Sequence, residues 1–247
     1  MTLDTETTPA VPKRRRGRPR KDDADREVRR AEIMNAAVQL FVDNGYRETT
    51  MSDIARSIGL NQSSLYYWFK DKEDLLEAIM KDNTTSFKLA SRLSEMPGEH
   101  PLHLYATVYA DTLMMCNFPF DYFELENVAL SHPRRFGVFF DTYRDLRETI
   151  GRIIRDGVED GDFPADTKPE LAMSIVLSLA EGLQHQYHQS TSTLGEEAID
   201  VWNGIPQQTP EQLARLAADS AINAVSGTID TEVLFATAVE RGWIAQA

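Results

Sequence analysis

Apolar residues recur every three or four positions through most of the chain after residue 26, and this spacing is typical of amphipathic helices. The first such run consists of Ile33, Ala36, Ala37, Leu40 and Phe41. Gly45 follows Asn44 at the point where a left-handed residue would end that helix. No stretch shows the sustained alternation of apolar and polar residues that predicts a half-buried strand. The pattern predicts an all-α fold.

The same pattern divides the chain into three parts. Residues 1–25 lack apolar periodicity and contain three prolines, which predicts a flexible arm. Residues 26–72 predict a small domain of short helices, and residues 73–247 predict a larger helical domain. We expect one long helix from Asp71 to Pro97 to join the two domains. Residues 190–208 form the longest predicted internal loop.

Within the small domain, residues 50–72 predict two short helices joined by a tight turn. Thr50 and Asp53 have the spacing of a capping box at the start of the first helix. Gly59 permits the turn, and small Ala55 suits the point where the helices cross. This is the spacing of a helix-turn-helix, the alternative being a generic αα-hairpin. The second helix would expose four polar or aromatic side chains that can reach DNA: Gln62, Ser63, Tyr66 and Tyr67.

The charge of the chain is distributed unevenly. The formal net charge is -13, yet residues 1–30 hold ten Lys and Arg against six Asp and Glu. A basic end on an acidic body favours binding of a polyanion at that end and repels it elsewhere. The alternative is a basic tail that only adds solubility.

The arm contains a short motif of its own. Arg16-Gly17-Arg18-Pro19 resembles an AT-hook, in which Gly allows close approach and Pro keeps the chain extended. Arg16, Arg18 and Arg20 would then enter the narrow minor groove of A·T-rich DNA. The alternative is attraction to phosphates without sequence preference.

Over about residues 28–80 the sequence resembles the DNA-binding domain of the TetR/AcrR family of transcriptional regulators. The family pattern Thr-x-x-x-Ile-Ala-x-x-x-Gly-Val, followed by Leu-Tyr-x-x-Phe-x-x-Lys, is matched in register, with Leu60 in place of Val. The matching residues are Phe41, Gly45, Thr50, Ile54, Ala55, Gly59, Leu65, Tyr66, Phe69 and Lys72. The resemblance implies a helix-turn-helix that binds double-stranded DNA.

The resemblance also implies roles for single residues. Thr50, Tyr66 and Lys72 would bind phosphates. The residues that would face the bases are Gln62, Ser63 and Tyr67. Trp68 stands where the family often has another aromatic residue, so we expect it to support the helix or to touch the DNA backbone.

The same resemblance implies that the larger domain binds a ligand and forms a homodimer. Helices near 169–189 and 210–225 look like the pair that forms the family's dimeric four-helix bundle. The second of these helices is rich in alanine, and we expect its small residues to let the helices of the bundle approach closely.

A ligand pocket is expected between residues 101 and 189. Its candidate residues are Phe118, Tyr122, Phe139, Tyr143, Gln184 and His188. Each of the aromatic residues also suits an ordinary core position. Glu181, His185 and His188 have spacings that a metal site could use, but such spacings are common on solvated helices, so we expect no metal and no cofactor.

These patterns predict a homodimeric repressor that a small-molecule effector releases from a palindromic operator. The alternative is an architectural protein that binds A·T-rich DNA through its arm. We find no phosphate-binding loop, nucleophile elbow or His-Glu zinc motif, and therefore expect no enzymatic activity. The chain has one cysteine and no apolar run long enough to span a bilayer, so we expect no membrane partner and a cytoplasmic location.

Overall fold

A computed structural model of the chain describes residues 21–82, 85–118, 121–191 and 208–245. Within these ranges the regular structure is helical and contains no strand, as the sequence predicts. The helices are α1 Lys21–Asn44, α2 Met51–Ser57, α3 Gln62–Trp68, α4 Lys72–Asp82, α5 Thr85–Ser94, α6 His100–Cys116, α7 Tyr122–Ser131, α8 Gly137–Glu159, α9 Pro169–Thr191, α10 Pro210–Val225 and α11 Thr231–Glu240.

Side-chain caps fix the starts of several helices. At α2, Asp53 N–H donates to Thr50 Oγ1, and the Asp53 side chain accepts from the Thr50 backbone, so the predicted capping box is present. Asn61 caps α3 by accepting from Ser64 N–H at 2.8 Å. These caps determine where the two short helices begin and therefore how they are oriented.

The helices pack around two hydrophobic cores. The first core holds buried side chains of α1 to α4, together with four residues that follow α6 in the chain: Phe118, Leu125, Ala129 and Phe136. The second core is formed by α5, α6 and α8 to α11. Because α7 and the start of α8 contribute to the first core, the two domains share packing where they meet.

The alanines of α10 pack inside the subunit. The fully buried ones are Ala214, Ala217, Ala218 and Ala221. They belong to the second core, where α10 packs against α6. Their small size lets α10 approach α6 closely within one subunit. The part that α9 and α10 play in a dimer stays a prediction.

One helix boundary differs from the predictions, and one predicted helix is described only in part. Helix α1 begins at Lys21, inside the stretch expected to be a flexible arm. Asp25 lies near its start, where negative charge stabilises a helix N-terminus. Helices α4 and α5 occupy the region of the predicted long helix. Residues 83–84 between them lie outside the described residues, so the continuity of that helix stays a prediction.

Most of the predicted internal loop also lies outside the described residues, since these exclude residues 192–207. Among the helices that are described, none combines the length and the apolar character needed to cross a membrane.

Candidate DNA-binding surface and ligand pocket

Helices α2 and α3 are held in a fixed arrangement by a small buried contact. Ile54 and Leu65 are fully buried, and Ala55 is nearly so. Gly59 has φ +65°, a left-handed conformation that favours glycine, and the next N–H, of Leu60, donates to Ala55 O at 2.8 Å. The turn therefore holds α3 against the rest of the domain with one face outward.

That outward face carries the side chains expected to reach DNA. Gln62 and Ser63 are exposed, and the exposed fractions of Tyr66 and Tyr67 are 46% and 70%. Ser63 Oγ donates to Asn61 Oδ1 at 2.7 Å. The structure thus brings all four predicted residues of this helix onto one accessible surface.

Two arginines of α1 extend this surface, and the sequence analysis did not select them. The Arg26 guanidinium lies 5.7 Å from the centroid of the Trp68 ring. The Arg30 guanidinium lies 4.6 Å from that of Phe69. Such cation–π contacts place positive charge directly beside α3. The four-residue spacing of these arginines on one helix face is the signal that could have identified them.

Thr50 lies exposed at the start of α2, but its hydroxyl already has a partner. Thr50 Oγ1 donates to Asp53 Oδ2 at 2.5 Å. Hydrogen bonds from Thr50 hold the pKa of Asp53 below its usual value. A phosphate contact by Thr50 stays a prediction, and the structure assigns this residue a capping role as well.

Lys72 has a structural role that the sequence did not reveal. Its ammonium donates to the carbonyl oxygens of Tyr46, Arg47 and Thr49 at 2.6, 3.1 and 2.8 Å. An ammonium has three N–H donors, so these acceptors use all of them. Partial burial lowers the pKa of Lys72. Lys72 therefore ties the start of α4 to the loop before α2, and its predicted phosphate contact stays untested.

The arginines of the arm cannot be placed on this surface. Arg16, Arg18 and Arg20 lie outside the described residues. Their insertion into the minor groove stays a prediction.

A largely apolar pocket of about 140 Å³ lies between α4, α5 and helices α6 to α9. Four of the six predicted residues line it: Phe118, Phe139, Tyr143 and Gln184. The side chain of Tyr122 lies outside the described residues. His188 is not part of the lining. A cavity of roughly 150 Å³ can hold benzene, so this pocket has room for at least a ring-sized group.

Glu181, His185 and His188, considered above as metal ligands, engage different neighbours. Glu181 lines the pocket. His185 Nδ1 lies 2.6 Å from Asp121 Oδ2, and His188 Nε2 lies 2.9 Å from Met115 O. Within the described part of the chain, no group of three His, Cys, Asp or Glu residues is arranged to hold a metal ion.

Two carboxyl groups in the pocket were missed as ligand-binding candidates. Ser86 Oγ donates to Asp111 Oδ1 at 3.1 Å, and Tyr143 OH donates to Glu181 Oε1 at 2.6 Å. Burial raises the pKa of Asp111 to about 6 and also raises the pKa of Glu181. Asp111 is the one acidic residue of the seventeen in α6, and this contrast was a signal available in the sequence.

The pocket and the DNA-binding domain have side chains in common. Phe118, Leu125 and Phe136 line the pocket and also belong to the first core. Just before Phe136, Arg135 Nη2 donates to Asp71 Oδ1 at 2.5 Å, beside the start of α4. Any change in the shape of the pocket therefore acts on residues packed against α1 to α4.

Comparison with known proteins agrees with this geometry. Residues 33–79 match the family model described as bacterial regulatory proteins, tetR family. Over its helix-turn-helix region the chain is therefore similar to the TetR family. The resemblance deduced from the sequence is confirmed for this domain, and the AT-hook-like arm stays a prediction.

Relatives and solved structures extend the similarity beyond residues 33–79. The HTH-type transcriptional repressor KstR2 of Rhodococcus jostii is 26% identical over 165 residues, which make up 66% of this chain and 81% of the relative. The crystal structure of Mycobacterium smegmatis AmtR covers 95% of this chain and 99% of its own, with a TM-score of 0.68 at 21% identity. The fold is TetR-like, and the similarity to the repressor KstR2 supports a DNA-binding transcriptional regulator.

The role of Lys72 predicts a loss of stability on its removal. Lys72→Ala should lower the free energy of unfolding by about 2 kcal/mol, because three carbonyl oxygens lose a charged donor. Lys70→Ala, two residues earlier and exposed, is the control and should change it by less than about 0.5 kcal/mol. Denaturant titration of both variants measures this. Equal stabilities would show that the three hydrogen bonds do not support the domain.

The raised pKa of Asp111 predicts a stability difference that depends on pH. Its pKa of about 6 in the folded state exceeds the ordinary value of 3.8, so protonation favours the folded state at low pH. As pH rises from about 4 to about 7, the wild type should lose about 3 kcal/mol relative to Asp111→Asn.

Asp141→Asn, an exposed carboxyl on α8, is the control for this pH series. Unfolding curves between pH 4 and pH 8 should show a growing advantage for Asp111→Asn only. An advantage that does not change with pH would contradict the raised pKa.

Proposed function

We propose that this protein is a homodimeric repressor that leaves a palindromic operator when a small molecule occupies the pocket. The observation that carries the proposal is the sharing of Phe118, Leu125 and Phe136 between the pocket and the first core. It supplies a route by which a ligand can act on the DNA-binding surface.

The route starts where the ligand contacts the three shared side chains. A ligand shifts an equilibrium only by its difference in affinity for two states. If the pocket of the DNA-bound state is too narrow for the ligand, occupancy pushes α7 and the start of α8 against α1 to α4. The position of α3 relative to its copy in the second subunit then changes, and affinity for the operator falls.

Dimerisation is supported by exposed apolar residues on α9 and α10. Leu171 and Ile175 of α9 and Leu216 of α10 are 57%, 46% and 48% exposed. Leu171 and Ile175 lie one turn apart, so they share one face of α9. We call these three residues the apolar stripe. A two-fold pairing of this surface would bury them against their own copies.

A dimer also fits the way in which a helix-turn-helix reads DNA. Two such helices must lie about 34–36 Å apart to enter successive major grooves. Proteins of the TetR family bind DNA and small-molecule effectors and act as dimers. The family similarity and the apolar stripe thus support the same assembly.

The test is selection of genomic DNA fragments at moderate salt, followed by footprinting with the wild type and Ile175→Glu. We expect the wild type to protect a two-fold-symmetric site as a dimer. Ile175→Glu should be monomeric and lose at least about tenfold in affinity, because a charge in the apolar stripe cannot be buried against its copy. Sedimentation of each protein gives its mass.

Val233→Glu is the matched control, since Val233 is a similarly exposed aliphatic residue that belongs to α11 and not to the apolar stripe. It should remain dimeric and bind as the wild type does. Diffuse recovery of A·T-rich DNA without symmetry would refute the operator model and favour the architectural protein. A dimeric Ile175→Glu would refute the assigned interface.

A further inference from the structure

The pocket combines a broad apolar surface with acidic groups at defined positions. Asp111 of α6 and Glu181 of α9 both line it. Glu181 also raises the pKa of Asp111 through charge repulsion, which shows that the two groups are close enough to interact. An apolar pocket with a few convergent polar groups is typical of a small-molecule site in which those groups set specificity.

We propose that the pocket selects a hydrophobic ligand carrying a protonated amine, held by Asp111 and Glu181. This inference rests on the proposed function only in taking the pocket as the effector site. It adds the chemical class of the effector, which the family similarity does not supply.

The neighbours of the two carboxyl groups leave room for a cation. Ser86 and Tyr143 each donate one hydrogen bond to one oxygen of a carboxyl group, and both donors are neutral hydroxyls. A neutral donor leaves the negative charge of the carboxylate in place. Buried charge is costly unless it is paired, so an arriving ammonium would bind where charge is least compensated.

The basic groups near the pocket are already engaged. Lys81 lines the pocket, but its ammonium lies 2.6 Å from Glu77 Oε1, on the same helix and also in the lining. Arg147 is not part of the lining and lies 5.8 Å from the centroid of the Tyr143 ring, but its positive charge lowers the pKa of Glu181. The charge of Glu181 is therefore compensated in part, and that of Asp111 less so. The charged residues that line the pocket are thus Glu77, Asp111 and Glu181 against Lys81, and an anionic ligand would meet a net negative surface.

The apolar part of the pocket suits the body of such a ligand. Phe87 and Phe139 offer aromatic surfaces, which attract a cation as well as an alkyl or aryl chain. Met80 and Met114 add flexible thioethers that can fill the space around ligands of different shape. The pocket therefore complements both parts of the proposed ligand, its ammonium group and its apolar body.

The test compares three molecules with one chain length: octylamine, octanol and octanoate. Each is titrated calorimetrically into the full-length wild type at neutral pH, where the amine is protonated. We expect octylamine to bind at least about tenfold more tightly than octanol, and octanoate to bind most weakly. Octanoate binding as tightly as octylamine would overturn the proposal.

Variants connect this preference to the two carboxyl groups. Asp111→Asn and Glu181→Gln should each weaken octylamine about tenfold and leave octanol within about twofold. Retained octanol binding shows that the pocket of a variant is still formed. A loss of octylamine affinity in that variant then reports the lost carboxyl group. Asp141→Asn, on the outside of α8, is the control and should bind octylamine as the wild type does. Unchanged octylamine affinity in both pocket variants would overturn the proposal.

The same titrations separate this inference from the proposed function. Preferential binding of octylamine without release of operator DNA would support the ligand class and contradict ligand-driven release. Release of the operator by octanoate but not by octylamine would support the repressor and contradict the ligand class.

Discussion

The central constraint in this structure is that the DNA-binding domain does not complete its own core. Phe118, Leu125 and Phe136 come from the larger domain, yet they are buried with residues of α1 to α4. Protein interiors are close-packed, so a shift of these side chains cannot be absorbed locally without repacking their neighbours. Since the same three residues line the pocket, ligand and DNA would act on one packed cluster.

The burial of Asp111 in the pocket lowers the stability of the folded state when its carboxyl group is charged. Asp111 stands in a setting that raises its pKa to about 6, which means that its charged form is disfavoured by burial. An apolar residue would pack there at lower cost. Local violations of folding rules are expected at functional sites, where the side chain serves binding. Under the proposal made above, the acidic pair serves ligand binding rather than folding.

The sequence predicted the helices and the helix-turn-helix because those depend on local spacing. These signals are local, because each involves residues only a few positions apart in the sequence: the apolar periodicity, the Thr50–Asp53 cap and the turn at Gly59. The role of Lys72 could not be predicted, because its acceptors, the carbonyls of residues 46, 47 and 49, are brought to it by tertiary folding.

The same limit applies to the alanines of α10 and to the pocket. Small residues on a helix indicate close packing but not which helix is the neighbour, and here the neighbour is α6 of the same subunit. Of the aromatic residues named from the sequence as pocket candidates, Phe118, Phe139 and Tyr143 line the pocket, and their contact with a ligand stays a prediction. The acidic residues were overlooked because Asp and Glu are common on helix surfaces, and sequence alone does not show which of them face inward.

The most direct test of the shared core is hydrogen exchange in Leu125→Ala and Leu146→Ala. Both residues line the pocket, but Leu125 belongs to the first core and Leu146 packs against the second. Leu125→Ala should lower the free energy of opening of amides in α1 and α4 by about 2–5 kcal/mol, the usual cost of removing a core leucine. Leu146→Ala should leave those amides unchanged. Equal protection of α1 and α4 in both variants would contradict the account.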